Sequence, residues 1–216
     1  MKNIAPLSHR IIAAVIDVLV CITIYQVLIL TILCAPNIRE ILAACLTTLI
    51  YILVILPIFL PLMNLILLTT LGGTIGKLAT GIRVVDVKGN NLTFIKAFVR
   101  NIVGYIVSSI FFWLGFIWIA IDQERRGWHD MIADSYVVKK SESGIITGLL
   151  VLLVLLGANF YIGYLSFKNV TANLPLYKET IEDLTAELNK PSVEKRMKES
   201  QNILYTTPSV NKSLFY

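Results

Sequence analysis

Residues 41–70 read ILAACLTTLIYILVILPIFLPLMNLILLTT, thirty consecutive residues without a charged side chain. A transmembrane helix needs about 20 mostly apolar residues, so this run can cross a bilayer, and its prolines Pro57 and Pro61 predict a kink or a part outside the hydrocarbon. Over the whole chain of 216 residues, 56% are hydrophobic and 15% are charged. This composition predicts an integral membrane protein and excludes a soluble domain, a disordered chain and a secreted disulfide scaffold.

Three further segments are long and apolar enough to be membrane helices, namely residues 11–33, 101–121 and 145–167. The predicted fold class is therefore all-α integral membrane, with three to four apolar helices. We divide the chain into a membrane domain at residues 1–141, an additional transmembrane helix at 142–168, and a soluble, partly helical tail at 169–216.

A small β-element is predicted between the apolar segments. Residues 82–87 are predicted to form a short strand, followed by a Gly/Asn turn at 88–91, and residues 135–140 form a second candidate strand. Because an isolated strand must pair with something, we expect these two to pair in a two- or three-stranded sheet at the cytoplasmic membrane surface. A helix lying in the headgroup plane is predicted around Phe94, Ile95 and Phe98.

The positive charges predict the orientation. Eleven Lys and Arg residues precede the first segment or flank the third, whereas the first loop has only Arg39. Such residues collect on the cytoplasmic side, which places the N-terminus there. Both flanks of residues 101–121 then appear cytoplasmic, so this segment is either a re-entrant hairpin, with the tail outside the cell, or a span at which the charge rule fails.

The tail carries a second helical pattern. Residues 179–190 place Ile181, Leu184 and Leu188 on one helical face, and Pro191 ends the pattern. A further short helix is predicted with Val193 and Met197 four residues apart.

Asp17 is the first candidate functional residue, because it lies inside an apolar segment. Arg10 precedes it by nearly two helical turns, so both lie on one face of the helix. An ionisable group at that depth needs a protein partner or water, and Arg10, Asn64, Arg100 or His129 could supply it. A structural contact between helices and a role in ion or proton transport are both open.

Two other stretches carry candidate residues. Gly72–Lys77 (GGTIGK) lacks the spacing of a phosphate-binding loop, so we interpret it as a tight glycine turn whose Lys77 can reach lipid phosphate. Residues 122–134 (DQERRGWHDMIAD) contain His129 and Asp130, which are either a proton relay or part of a charged interfacial loop. Three cysteines and two histidines without ligand spacing predict no metal and no cofactor, and nothing predicts an enzyme.

Taken in order, several stretches resemble the RDD family of prokaryotic membrane proteins, named for one arginine and two aspartates. SHRIIAAVIDVLV supplies Arg10 and Asp17, GGTIGKLATGIRVVDVKGNNLTFIKAFVRN runs from the glycine-lysine turn to Arg100, and RGWHDMIADSYVV supplies Asp130. Ser135 stands where the family usually has threonine. The resemblance implies an unsettled role: transport of unidentified ligands has been suggested, and sodium/proton antiport is associated with some members.

Two functional hypotheses follow for a multi-pass protein of a bacterial inner membrane. The first is cation- or proton-coupled transport, with Asp17 and Arg10 at the ion site and His129 and Asp130 at its cytoplasmic exit. The alternative is a non-enzymatic membrane scaffold or accessory subunit that binds a partner through its tail. Expected partners are anionic headgroups and a homo-oligomer or membrane-protein complex, but no nucleic acid, since no basic face with aromatic platforms is apparent.

Overall fold

The computed structural model describes residues 3–110, 114–189, 197–198 and 201. The chain divides into two compact units, residues 1–171 and 172–216. The elements, in chain order, are α1 (Leu7–Leu33), α2 (Ile38–Ile50), a π-helical segment (Tyr51–Ile55), α3 (Leu56–Thr70), α4 (Ile75–Ala79), β1 (Ile82–Asp86), α5 (Phe94–Phe98), a second π-helical segment (Val99–Gly104), α6 (Tyr105–Ile110), α7 (Leu114–Ile121), α8 (Trp128–Ile132), β2 (Ser135–Lys139) and α9 (Gly144–Leu188).

Three helical stretches within the described residues are long and apolar enough to cross a membrane: Leu7–Leu33, Arg39–Ala79 and Gly144–Ala186. A fourth candidate is a bent pair, Phe94–Ser109 with Leu114–Ile121, whose two helices meet at 97°. The predicted fold class of three to four apolar helices with a small sheet is therefore confirmed.

The proline-containing segment keeps its helical course. α2 continues into α3 through the π-helical segment Tyr51–Ile55, and Pro57 lies in the first turn of α3. A proline has no backbone N–H and its ring crowds the preceding turn, so a widened π-helical turn just before it is a common accommodation.

The two predicted strands pair with each other. β1 and β2 are antiparallel, with Val84 opposite Val137 and Asp86 opposite Ser135. The N-terminus adds to this sheet, because Ala5 N–H donates to the carbonyl of Val137 at 2.9 Å. The buried side chains beneath the sheet come from both strands and the neighbouring helices, and include Ala13, Leu65, Leu68, Ile82, Val84, Ala97 and Val137.

Residues 101–121 return to the side of the molecule from which they start. β1 precedes this segment and β2 follows it, yet the two strands are hydrogen-bonded neighbours. Inside the segment, α7 folds back on α6, since a Cβ added to Gly115 would lie 2.7 Å from Ser108. The chain between β1 and β2 is therefore a bent helical hairpin, and its two ends lie on the same side of the molecule.

The last helix is longer than the sequence pattern predicts. The predicted span at 145–167 and the predicted tail helix at 179–190 are parts of one helix, α9, which contains Pro175. The change from apolar to polar composition at residue 168 indicates the end of the part of α9 that suits the hydrocarbon core of a bilayer. A change in composition does not end a helix, and α9 continues to Leu188. The predicted helix at Val193 and Met197 extends over residues that the structure does not describe.

Candidate functional site

Asp130 is the centre of a buried ion cluster. Its side chain is fully buried, and its Oδ1 accepts hydrogen bonds from Arg100 Nε at 3.0 Å and Nη2 at 2.6 Å. Its Oδ2 accepts from Arg10 Nη1 at 3.3 Å and from the backbone N–H of Gly127 at 3.2 Å. Ser135 Oγ donates to Oδ1 at 3.4 Å. We call Arg10, Arg100 and Asp130 the charged clamp.

The clamp joins three segments that are far apart in sequence. Arg10 lies in the first turn of α1, Arg100 lies in the π-helical segment before α6, and Asp130 lies in the first turn of α8. The bond from Gly127 N–H to Asp130 caps α8, because the first N–H groups of a helix have no partner within the helix. One carboxylate thus connects the start of α1 with the beginning and the end of the bent hairpin between β1 and β2.

The clamp keeps Asp130 negatively charged. Burial by itself raises the pKa of this carboxyl, but Arg100 and Arg10 outweigh it and hold the pKa well below its usual range. Arg100 is 1% exposed and the Arg10 side chain 8%, so both guanidinium groups face the carboxylate with little water between them. Asp130 therefore carries no proton at physiological pH.

His129 lies beside the clamp in an aromatic pocket. Its ring contacts those of Tyr105 and Phe116, with centroid distances of 5.0 and 4.9 Å. A Cβ on Gly104 would lie 2.8 Å from the Cα of His129, so glycine is needed for this close approach. Burial, aided by the positive charges of Arg100 and Lys77, lowers the pKa of His129 to about 3. The His129 ring is therefore neutral at pH 7.

The buried His129 predicts a loss of stability in mild acid. The unfolded chain protonates its histidine below about pH 6.5, whereas folded His129 stays neutral down to a pKa of about 3, so stability falls as the pH drops through this window. Between pH 6.5 and 4.5 this group should cost roughly 2 kcal/mol of unfolding free energy. We expect His129→Gln to flatten the pH dependence, as measured by denaturation in detergent micelles. An unchanged slope would contradict the assignment.

Asp17 has partners other than the predicted ones. Its Oδ2 accepts from Thr74 Oγ1 at 2.6 Å, and its Oδ1 accepts from the backbone N–H of Gly76 at 2.7 Å. The expected pairing with Arg10, Asn64, Arg100 or His129 is wrong for the described residues. The free N–H groups at the start of α4 attract the carboxylate, and Thr74 begins that helix. Lys77 Nζ lies 3.5 Å from Thr74 Oγ1.

The glycines in the turn before β1 allow α4 to approach α1 closely enough for Asp17 to accept the hydrogen bond from Gly76 N–H. A Cβ on Gly76 would lie 2.0 Å from the backbone carbonyl oxygen of Ala13, so α4 touches the backbone of α1. Gly72 has φ +80°, which a residue with a Cβ rarely adopts. The interpretation of Gly72–Lys77 as a tight glycine turn is consistent with this geometry.

The candidate residues thus form two neighbouring groups. Arg10, Arg100, His129 and Asp130 belong to the first, and Asp17 and Lys77 belong to the second. Sequence reasoning assigned no contact with the charged residues to the polar and small residues that complete these groups, which are Thr74, Gly76, Gly104, Gly127 and Ser135. A threonine directly after two glycines, before a short apolar stretch, was the available signal for Thr74 as a helix start. Among the described residues, no group of His, Cys, Asp and Glu side chains could hold a metal ion.

Comparison with known proteins gives one family and several relatives. The model of the RDD family matches residues 4–134 of this chain. The chain is similar to two Bacillus subtilis (strain 168) proteins named "Uncharacterized protein YxaI", 40% identical over 68 residues, and "Uncharacterized protein YckC", 40% identical over 70 residues. It is also similar to "Uncharacterized membrane protein YteJ" of the same strain, 38% identical over 66 residues.

The matched regions are partial on both sides. They cover 32%, 31% and 30% of this chain, and 44%, 46% and 39% of YxaI, YckC and YteJ respectively. The chain therefore spans less than half the length of these curated relatives. No solved structure matches this chain.

Proposed function

This chain belongs to the RDD family, and from that premise we propose that it is a non-enzymatic membrane scaffold whose buried charges hold its own fold together. The charged clamp fixes the re-entrant hairpin and the sheet, and the end of α9 binds a partner protein. The protein would thus act by holding a partner protein at the membrane and not by catalysing a reaction.

One observation carries the proposal: all four carboxylate oxygens of Asp17 and Asp130 already accept hydrogen bonds from the protein. Asp130 is bound by two guanidinium groups, and Asp17 by Thr74 and Gly76. A carboxylate that carries an ion or a proton must exchange its partners during each cycle. Breaking a buried ion pair costs several kcal/mol because it leaves an uncompensated charge, so Asp130 is suited to a permanent contact.

The orientation follows from the positive charges. Two Lys and Arg residues precede α1 or lie in its first turn and nine lie between α3 and α9, eleven in all on the side of the sheet, whereas Arg39 alone lies at the start of α2. We therefore place the N-terminus and the sheet in the cytoplasm of a bacterium, next to anionic headgroups of the inner membrane. The exposed side chains of Phe94 and Ile95, 61% and 74% exposed, would dip into that leaflet.

The end of α9 offers the surface for a partner. Ile181, Leu184 and Leu188 share one helical face and are 62%, 41% and 85% exposed. Three exposed aliphatic side chains at this spacing suit a groove on another protein, since helix-in-groove recognition uses anchors three or four residues apart. With three crossings and a re-entrant hairpin, this face would lie outside the cell.

Cation- or proton-coupled transport is the second candidate. It is favoured by Asp17, a half-buried carboxylate on a spanning helix with Lys77 close to its partner Thr74. Against this role, Asp17 is held by a helix start at 2.6 and 2.7 Å, as a structural contact would be.

The scaffold role predicts a face-specific loss of partner binding. In protein purified from its native membranes, Leu184→Asp should reduce the recovery of co-purifying polypeptides at least about tenfold. The substitution puts a charge in place of an apolar side chain that the bound partner would bury. Ala186→Asp is the matched control, since it adds the same charge on the opposite side of α9 and should leave recovery unchanged.

A transport measurement in liposomes distinguishes the scaffold from a transporter. The purified protein in liposomes should dissipate no pH gradient on addition of Na⁺, K⁺ or Li⁺. Cation-dependent dissipation by the wild type that Asp17→Asn abolishes would refute the scaffold and identify a transporter. Equal loss of partner with Leu184→Asp and Ala186→Asp would remove the tail face from the proposal.

A further inference from the structure

A groove runs between α3 and the helix that continues from α5 through the second π-helical segment into α6. Two adjoining recesses of about 270 and 520 Å³ form it, and both are lined by Asn101 and Ile102. The second recess extends along α6 to Ser109. We call this the α3–α6 groove, and its α3 wall consists of Pro57, Ile58, Pro61, Leu62 and Leu65.

Asn101 is the polar residue that both recesses share. Its side chain is half-buried, and within the part of the chain that the structure describes its amide makes no hydrogen bond. Both amide atoms are accessible at the surface, so a ligand in the groove can reach them. The amide offers two N–H donors and one acceptor oxygen to such a ligand.

With the sheet side at the cytoplasmic surface, as proposed above, Asn101 lies near the boundary between headgroups and hydrocarbon. It is seven residues past Phe94, where α5 begins, or about 10 Å along the helix. The polar region on each face of a bilayer is roughly 5–8 Å thick. The ester carbonyls of a phospholipid lie at this boundary and accept hydrogen bonds. The Asn101 N–H groups therefore lie at the depth where a lipid offers acceptors.

The α3 wall of the groove is apolar and reaches deeper than Asn101. α3 ends at Thr70 on the sheet side, where the carbonyl of Gly72 accepts from Val84 N–H of β1 at 2.6 Å. Ile58 lies twelve residues before Thr70, or about 18 Å along the helix. This part of the groove suits an acyl chain and not a polar ligand, because a polar group buried there would lack hydrogen bonds.

The segment beside the groove carries an uncompensated positive charge. Residues 71–98 connect α3 to the second π-helical segment and contain four basic residues but only one acidic residue, Asp86. Asp86 already accepts from the backbone N–H groups of Lys88 and Asn90. The basic residues form no ion pair with any residue that the structure describes, and they are Lys77, Arg83, Lys88 and Lys96. Such a segment attracts an anion at the headgroup level.

We propose that the α3–α6 groove binds an anionic glycerophospholipid of the cytoplasmic leaflet. Asn101 donates to an ester carbonyl, an acyl chain lies against Pro57 and Ile58, and the phosphate faces the unpaired basic residues, of which Lys96 is on the helix of the groove itself. A second copy docked here by two-fold symmetry would bring its own basic segment close to this one. A lipid phosphate complements that charge. The inference rests on the orientation given under the proposed function and adds a ligand to it.

The test is a lipid titration of the purified full-length protein in detergent micelles, read by native mass spectrometry, which counts bound lipids. The probes are dioleoylphosphatidylglycerol, which is anionic, and dioleoylphosphatidylcholine, which has the same acyl chains but is zwitterionic. The wild type should bind the anionic lipid at least about tenfold more tightly, since each nearby basic residue contributes roughly fivefold. A micelle has a single surface, so an error in the proposed orientation or tail partner would leave this result unchanged.

Two exposed apolar residues of α3 give the matched comparison. Ile58 is 64% exposed and lines the groove, whereas Met63 is 38% exposed and does not line it. Met63 follows Ile58 by five residues, which turns it about 140° around the helix. Ile58→Trp fills the groove and should weaken binding of the anionic lipid at least about tenfold. Met63→Trp should change it less than about twofold.

Two polar substitutions separate the ester from the phosphate. Asn101→Leu removes the amide at similar size and should weaken both lipids about threefold, the usual effect of one hydrogen bond in a membrane, because both lipids carry the ester. Lys96→Gln should leave the zwitterionic lipid unchanged and weaken the anionic one about fivefold. Neither side chain has a hydrogen bond or ion pair to another described side chain, so both variants should fold.

Other outcomes overturn the proposal. Equal affinity of the wild type for the two lipids would exclude an anionic ligand. Equal losses with Ile58→Trp and Met63→Trp would show that the lipid binds elsewhere on the protein. If the spectra show a dimer that Ile58→Trp separates while lipid binding is unchanged, the occupant of the groove is a second copy of the chain.

Discussion

Replacing Asp130 by Asn is expected to lower the free energy of unfolding by about 3–5 kcal/mol, the cost of removing one partner from a buried ion pair. The neutral amide leaves the guanidinium groups of Arg10 and Arg100, 8% and 1% exposed, facing each other without a compensating charge. Reversible denaturation in mixed micelles, followed by tryptophan fluorescence, measures the change.

A surface pair provides the control for this variant. Glu124 and Arg126 form an ion pair at 2.7 Å, but the Glu124 side chain is 51% exposed. Glu124→Gln should therefore cost less than about 1 kcal/mol, since exposed pairs are screened by water. Substituting Arg100→Met together with Asp130→Asn should cost less than the sum of the two single changes, because each single change leaves a charge unpaired. Additive losses would show that the clamp does not act as a unit.

Replacing Gly76 by Ala is expected to destabilise the protein by about 3 kcal/mol, the upper end of the usual cost of overpacking. The added Cβ would lie 2.0 Å from the backbone carbonyl oxygen of Ala13. Backbone atoms cannot rotate out of the way, so α4 has to move off α1. This movement would also lengthen the 2.7 Å hydrogen bond from Gly76 N–H to Asp17.

Gly157→Ala is the matched control for Gly76→Ala. A Cβ at Gly157 meets no atom within 4 Å, and the residue lies inside α9. This substitution should be neutral or stabilise the helix by roughly 0.5–1 kcal/mol, because alanine is the better helix former. The same denaturation assay compares both variants. Similar stability of the two proteins would contradict the close packing of α4 on α1.

Local patterns in the sequence were sufficient to predict the sheet. Residues 82–87 and 135–140 are short runs rich in β-branched residues, and a Gly/Asn turn follows the first, so both strands could be predicted locally. Each then needed a partner, and the other strand was the available one. The spans were predicted for the same reason, since about 20 apolar residues in a row have few alternatives in a membrane protein.

The partners of the charged residues required tertiary information. Helical periodicity places Arg10 and Asp17 on one face of α1, but it cannot tell that one reaches Asp130 and the other reaches the start of α4. These contacts span 120 and 59 residues, and they depend on how the glycine turn and the hairpin pack. The length of α9 was also not predicted from the sequence. The switch from apolar to polar residues after residue 167 indicates a change from lipid to water around the helix, but it does not indicate that the helix ends.

The long sequence separation within the clamp has a consequence for biosynthesis. Arg10 enters the nascent chain 120 residues before Asp130, and Ala5 pairs with Val137, which is made later still. Helix α1 must therefore leave the ribosome and enter the bilayer before Asp130 is available to pair with Arg10. The segment around Ala5, just before α1, then has no strand to pair with. These contacts can form only after the hairpin between β1 and β2 has been synthesised, so the last tertiary contacts join later parts of the chain to its first helix.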